Sequence, residues 1–354
     1  MKKFDLLVFI GRFQPFHVEH KRVIEQALKQ SNHVLILVGS AGKPRTIRNP
    51  FTFEERERMI LEAFTEPSDF IKLNVKPLYD KTYNDVAWIN QVQHIVRETT
   101  LKAINNGFMA SGLADAKVGL IGMAKDHTSY YLKMFPQFKS VDVPLECVMH
   151  ATAIREGFFN GTLQKHEVYS NELPPNVCTF MYDEFKLTSE YQQLARELEH
   201  VKTYKKSWEA APYPVKHLTV DAVVEQSGHI LLVKRRSEPG KGLWALPGGH
   251  LEIHETLEQG VLRELREETK IKVPDPVLRG SIKASKMFDD PHRSTIGRVV
   301  TYASYIKLED AVSLPKIKGA DDAEKAKWIP IDDVREDQMF DDHYYIIQHF
   351  LGVS

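Results

Sequence analysis

"DLLVFIGRFQPFHVEHKRVIEQALKQSNHVLILVGS", residues 5–40, sets two near-continuous apolar runs on either side of a stretch with a different period. Such runs suit parallel strands buried on both faces. Between them Val23, Ile24, Ala27 and Leu28 recur at helical spacing, so the segment predicts a strand, a helix and a strand, a βαβ unit. Its chemistry lies in the turn, "GRFQPFHVEH" (residues 11–20). His17 and His20 stand one helical turn apart where the helix begins, so both rings reach one side of its N-terminus. That end of a helix presents unpaired N–H groups and a partial positive charge. With Gly11 and Arg12 alongside, two imidazoles predict a polyphosphate-binding mouth; a lone histidine would read as a cap or a packing residue.

Working outward, "AKVGLIGM" (from Ala116) and "SVDVPLE" (from Ser140) predict further strands, and the first 160 or so residues read as an α/β, Rossmann-like sheet. Near Pro212 the texture changes. "KHLTVDAVVEQSGHILLVKRR" (from Lys216) predicts two strands around a Ser-Gly turn, and "GRVVTYASYIKL" (from Gly297) a long alternating strand. A strong helix over 256–270 lies between them, giving an α+β domain of antiparallel character. The expected organisation is a domain over 1–165, a helical connector over 166–211 and a second domain over 212–354.

A chain of 354 residues has room for two cores. Its net charge of −1 argues against nucleic acid as a partner. The two cysteines, Cys147 and Cys178, have neither a disulfide framework nor metal-ligand spacing, which points to a reducing, cytoplasmic setting. No stretch approaches the roughly 18 apolar residues of a membrane helix. Homo-oligomerisation stays open.

The second constellation is "GHLEIHETLEQGVLRELREETKI", residues 249–271. At about 100° per residue, Glu264 and Glu268 fall within about 40° of one another, with Glu267 just outside the pair. Leu257 and Val261 share that side, so the acids sit on or beside the apolar stripe and not on an opposite, solvated face. Partly shielded carboxylates repel one another. A hard divalent cation, Mg²⁺ or Mn²⁺, relieves that repulsion and suits oxygen ligands that bridge substrate phosphates.

This stretch resembles the Nudix box, G-x5-E-x7-R-E-U-x-E-E-x-G-U, through Gly249, Glu255, Arg263, Glu264, Leu265, Glu267, Glu268 and Ile271. The departure is Lys270, where the box has the glycine of a left-handed turn. The resemblance implies a Nudix fold, with Glu264, Glu267 and Glu268 as metal ligands and Glu264 and Glu268 as catalytic groups. Glu255 and Arg263 would buttress the loop behind them. It leaves the general base open, with Glu324 as a candidate. "FDDPHRSTIGRVVTY" resembles a segment of ADP-ribose-acting members, which makes Arg293 and Arg298 candidate substrate contacts, although a strand edge also explains them.

The N-terminal turn resembles the nucleotidyltransferase motif G-x-F-x-P-x-H-x-G-H through Gly11, Phe13, Pro15, His17 and His20. Glu19 replaces the motif's last glycine. It is expected to bring a carboxylate toward an incoming triphosphate unless its side chain turns to solvent, so Glu19→Gly is expected to leave the reaction equal or faster. "GKPRTIRNPFTFEERERMI" (with Arg48), "YNDVAW" (with Asn84 and Trp88), "IGMAKDHTSYYLKMFP" (with Lys125 and Asp126) and "HATAIREGFFNG" (with Thr152 and Arg155) resemble nicotinamide-mononucleotide (NMN) adenylyltransferases. The resemblance implies His17, His20 and Arg155 as catalytic groups. Gly11, Arg12, Phe13, Arg48, Asn84, Trp88, Lys125, Asp126 and Thr152 would bind substrate, with Trp88 as a flat platform or, on the plainer reading, a core residue.

Both halves together are similar to bifunctional NMN adenylyltransferase/Nudix ADP-ribose pyrophosphatases. That resemblance implies NMN, ATP and ADP-ribose as substrates and Mg²⁺ as cofactor. The rival expectations are a Nudix half that senses ADP-ribose without cleaving it, and an N-terminal half that adenylylates another phosphorylated small molecule.

Overall fold

The structure is a computed structural model that describes residues 2–107, 112, 113, 115–122, 134–144, 151–168, 171–318 and 323–352, with the backbone alone at 323 and 324. The chain divides into two compact units, Met1–Ala195 and Arg196–Ser354. Among the described residues no helix is long and apolar enough to cross a membrane.

In the first unit the chain runs β1 (Phe4–Gly11), α1 (Val18–Gln30), β2 (Ser31–Val38), α2 (Phe53–Leu61), α3 (Pro67–Phe70), β3 (Leu73–Pro77), α4 (Asp85–Asn105), β4 (Val118–Gly122) and β5 (Lys139–Asp142). Helices α5 (Ala151–Phe159), α6 (Lys165–Val168) and α7 (Pro175–Thr179) follow, and α8 (Ser189–Ser207) passes the division between the units. The described strands form a parallel sheet of order β3-β2-β1-β4-β5. Leu6, Val8 and Ile10 pack with Val92 and Val96 of α4 on one face. Leu7 and Phe9 are also buried, so β1 is covered on both sides, as its unbroken apolar run requires. Val23, Ile24, Ala27 and Leu28 form the buried stripe of α1.

The second unit carries β6 (Lys216–Gln226), β7 (His229–Arg235), β8 (Trp244–Ala245), β9 (Gly248–His250), α9 (Leu257–Thr269), α10 (Asp275–Gly280), β10 (Ile282–Phe288), β11 (Arg298–Lys307), β12 (Ala323–Pro330) and α11 (His343–Leu351). The β6–β7 hairpin turns at Ser227 and Gly228, both at positive φ (48° and 72°), the backbone that a tight two-residue hairpin turn demands. The sheet is mixed, which corrects the antiparallel expectation. β11 runs parallel to β6 from Arg298 opposite Lys216 to Lys307 opposite Glu225. The long excursion through α9 supplies the crossover that parallel pairing needs. Val261, Leu262 and Leu265 of α9 pack against Val220, Ala222 and Val224 of β6, and this fixes which side of the helix faces the sheet.

Candidate active sites

In the first unit β1 lies between β2 and β4, and the chain's connections leave it toward opposite sides. Ligands of open α/β sheets bind in the crevice outside the carboxyl ends of such strands. Gly11 and Gly122 end β1 and β4, so the expected mouth stands at this switch point. A Cβ on Gly11 would lie 2.8 Å from Phe13 Cζ; glycine is needed for that ring to fold back. Phe13, at φ 53°, is only 1% exposed and meets His20 edge-on at 4.8 Å. Its ring packs against the histidine and is buried, so its side chain shapes the mouth as a support.

His17 is the N-cap of α1, and its carbonyl accepts from Lys21 N (3.1 Å). The rings of His17 and His20 stack at 3.6 Å, and His20 Nδ1 accepts from His17 N (3.4 Å). The structure therefore brings the two imidazoles together as their spacing predicts. Glu19 takes neither expected path. It is 4% exposed, and Oε2 accepts from Arg22 Nη2 at 2.8 Å. Arg22 Nη2 also donates to the Pro144 carbonyl. The departure from the glycine motif is thus a buried carboxylate neutralised by a half-buried arginine.

Arginines dominate the rest of this mouth. Arg155, 6% exposed, donates to Gln14 O (2.5 Å), Ile47 O (3.2 Å) and Thr152 Oγ1 (3.2 Å). Burial first, then Arg12 and Arg48, lower its pKa to about 10. Part of the Arg12 residue is exposed, yet the protein packed around its guanidinium withholds water and lowers its pKa too, Arg48 adding and Asp80 opposing. Arg56, which sequence reading passed over, is 1% exposed and donates to Arg12 O and Gly39 O at 2.7 Å each. Burial lowers it to about 10, with Asp80 opposing and Arg12 adding. All these groups stay charged at neutral pH, so the mouth holds a positive field that an anion would relieve. A sequence signal existed for Arg56: with Met59 and Ile60 it shares the buried face of α2.

Asn84 is exposed and caps α4, accepting from Ala87 N at 3.0 Å. Trp88 is half-buried, 5.9 Å from the Phe135 ring and packed on the core; this is the plainer of its two readings. Lys125 and Asp126 lie outside the described residues.

In the second unit the capping box of Thr256 and Gln259 starts α9. Arg263 clasps Glu255 with two bonds (Nε to Oε2, 2.9 Å; Nη2 to Oε1, 2.7 Å), and Nη2 also reaches His250 O (3.1 Å). Its Nη1 donates to Glu264 Oε1 and Glu267 Oε2, each at 2.9 Å. Lys270 ends the helix at φ 47°, the left-handed backbone the missing glycine would have eased. Glu268 Oε2 accepts from Gly248 N (3.0 Å). Burial chiefly raises its pKa to about 8, with Gly248 opposing and Glu264 and Asp221 adding. Burial also raises Glu264, against the pull of Arg263, while Arg263 holds Glu255 below its usual range.

Among the described residues no three acidic, His or Cys side chains are gathered closely enough to hold an ion as they stand. The donors nevertheless fit a hard cation. Glu264 and Glu268 are crowded oxygen donors with raised pKa, and a Cβ on Gly249 would come 2.5 Å from Glu264 Oε1, so that glycine keeps the carboxylate's space clear.

Glu268 opens on a cleft of about 250 Å³ that Asp221, Arg235, Arg293, Asp341 and His343 also line. Arg293, expected as a substrate contact, lines this cleft with its guanidinium engaged by a neighbour. Its side chain is 4% exposed and forks onto Asp342 (Nε to Oδ2, 2.9 Å; Nη2 to Oδ1, 2.8 Å). Arg298 donates to Asp289 O (2.6 Å) and is not among the residues lining the cleft. Glu324 falls in β12, with its side chain outside the described residues. Sequence reading missed Asp221 and His343. His343 Nδ1 accepts from Leu246 N at 2.9 Å, so its proton sits on Nε2, 4.0 Å from Asp221 Oδ1. The signal for Asp221 was an acid inside the apolar strand "VDAVV".

These sites and folds define a nucleotidyltransferase unit and a Nudix unit in one chain. The cytidylyltransferase-like family matches residues 8–112 and the NUDIX domain family residues 215–350. A nicotinamide/nicotinic acid mononucleotide adenylyltransferase of Acinetobacter baylyi is 39% identical over 198 residues, 56% of this chain and 95% of that one. An ADP-ribose pyrophosphatase of Methanocaldococcus jannaschii is 32% identical over 134 residues, 38% of this chain and 72% of that one. The crystal structure of a bifunctional NMN adenylyltransferase/ADP ribose pyrophosphatase from Francisella tularensis, complexed with AMP and a manganese ion, is 36% identical. It covers 99% of both chains with a TM-score of 0.88. The chain belongs to this family of bifunctional NMN adenylyltransferase/ADP-ribose pyrophosphatases.

Proposed function

We propose that the first unit joins NMN and ATP into NAD, releasing pyrophosphate, and that the second hydrolyses ADP-ribose to AMP and ribose 5-phosphate. The observation that carries this reading is the pairing of two opposite electrostatic designs in a chain that matches a bifunctional enzyme along 99% of its length. One site concentrates guanidinium and imidazole groups, the other half-buried carboxylates.

In the first reaction the NMN phosphate attacks the α-phosphorus of ATP, the bond to the β-phosphate's bridging oxygen breaks, and pyrophosphate leaves. No covalent protein intermediate is needed, so positioning and charge stabilisation carry the catalysis. His17 and His20 donate to phosphate oxygens at the α1 N-terminus. Arg12, Arg48 and Arg155 stabilise charge moving onto the leaving group. Asn84 flanks the nicotinamide side, Trp88 backs it from the core, and Thr152 orients Arg155.

In the second reaction Glu264, Glu267 and Glu268 would hold a divalent cation, Mg²⁺ or Mn²⁺, which would supply charge neutralisation for the diphosphate of ADP-ribose. Arg263 and Glu255 hold the β9–α9 loop in register around those acids. Retention of all four glutamates supports hydrolysis over mere sensing, because a binder has no need of the acidic set. Purified full chain is incubated with NMN plus ATP, and separately with ADP-ribose, each with and without Mg²⁺, and the products are separated by chromatography. NAD is expected from the first mixture, and AMP with ribose 5-phosphate from the second only when the ion is present. Absence of either product set removes the corresponding half of the reading.

A further inference from the structure

The first unit has a second concavity, away from the mouth. It lies at the amino ends of β1, β4 and β5, where Phe4, Val118 and Lys139 begin their strands, under the Gln93–Thr100 stretch of α4. The mouth is at the carboxyl ends of β1 and β4, so the two concavities lie at opposite ends of the parallel strands. The cavity measures about 730 Å³, within the range of small-molecule sites.

Its chemistry is specific. Lys3, Arg97, Lys117 and Lys139 line it, and among the described lining residues none is acidic. Among the described residues none of these four cations forms an ion pair, in a chain whose acids and bases otherwise nearly balance (48 against 47). The floor is apolar, with Phe4, Val96 and Phe138, and two amides, Gln93 and Gln137, stand beside it. Four like charges around an apolar hollow create a positive potential that repels itself and attracts an anion. A fully hydrated ion would leave the floor unused; a ligand with a flat or apolar body and a phosphate group uses both.

We propose that this cavity is a second, non-catalytic site for a phosphorylated organic anion of nucleotide type. The phosphate lies among Lys3, Arg97, Lys117 and Lys139, and the body lies on Phe4 and Phe138. The site shares no side chain with the mouth, although β1 joins the two through Phe4 at one end and Gly11 at the other.

The test uses the full chain and amide hydrogen exchange resolved by segment, with AMP, ATP, NAD and inorganic phosphate as separate probes. At least one nucleotide is expected to protect residues 93–100 and 134–142, with a saturation curve separate from that of residues 11–20. Lys117→Glu/Lys139→Glu should weaken that protection by roughly tenfold or more while NAD formation at saturating substrate is unchanged. Lys117→Gln/Lys139→Gln, which removes charge without reversing it, replaces that variant if its melting curve shows misfolding. The proposal fails if no probe protects these segments, or if protection survives in the charge variants. It also fails if inorganic phosphate protects as strongly as every nucleotide, since the apolar floor would then be idle. A changed sedimentation coefficient of the ligand-free variants would assign the cavity to contact between copies of the chain and overturn the proposal as well.

Discussion

Glu19 shows how far one side chain's meaning depends on its neighbours. Beside a phosphate mouth an extra carboxylate repels substrate if it is free. Held by Arg22, it cancels a cation and anchors α1 toward Pro144. Removing one partner of a shielded pair costs more than the pair contributes, because the other charge is stranded. Glu19→Gly is therefore expected to lower the stability of the first unit by about 1–3 kcal/mol and to slow NAD formation. Glu19→Gly/Arg22→Gln should recover part of both, as melting curves and initial rates will show; a faster single variant would restore the expectation of repulsion. Asp341 gives a second test at this scale. Its backbone is at φ 45°, and burial, reinforced by Asp342 and opposed by Arg293, raises its pKa to about 7 from 3.8. The folded state then holds this proton more tightly than the unfolded state. Its contribution to stability is complete below about pH 3.8 and is lost as pH rises through about 7. Asp341→Asn should raise the melting temperature of the second unit at pH 8 and give little advantage at pH 4; an equal shift at both would refute the linkage.

At the scale of elements, α9 shows a motif glycine replaced at a geometric cost. Its C-cap Lys270 keeps the left-handed backbone (φ 47°, ψ 33°), a conformation that costs a residue with a Cβ about 1–2 kcal/mol. Glycine recovers this less its own entropy loss on folding. Lys270→Gly should stabilise the second unit by about 1 kcal/mol, or about 2–4 °C in melting temperature, without changing ADP-ribose turnover; unchanged stability would mean that Lys270's own contacts offset the strain. The same helix shows what periodicity can reveal. Its length, its apolar side and the angular closeness of Glu264 and Glu268 follow from spacing alone. That Arg263 would lie across Glu255, Glu264 and Glu267 together does not follow, because the loop carrying Glu255 had first to fold back over Gly260, where a Cβ would meet Glu255 Oε1 at 2.9 Å. Strands β3, β10 and β12 were missed for a related reason. β3 is five residues long, and β10 exposes most of its side chains; neither length nor alternation marks such segments, and pairing with a neighbour makes them strands.

For the whole molecule, the two sites belong to separate units with separate sheets, so their chemistries should fail independently. Glu268→Gln is expected to abolish ADP-ribose cleavage with NAD synthesis near wild type, and His20→Ala to do the reverse. Parallel assays of both variants decide this, and joint loss in either would contradict two independent sites. The sequence by itself determined the βαβ entry, the pairing of two imidazoles on one side of the α1 N-terminus, the acidic helix and the presence of two domains, because each of these depends on residues close together along the chain. Tertiary structure alone decided that Phe13 is buried against His20, that Asp342 clasps Arg293, that Arg56 joins the mouth, that Asp221 and His343 face the Nudix cleft, and that β11 runs parallel to β6. Most of those outcomes depend on partners tens to more than a hundred residues away; local spacing can mark a polar residue as buried, as for Arg56 and Asp221, but carries no record of what it meets.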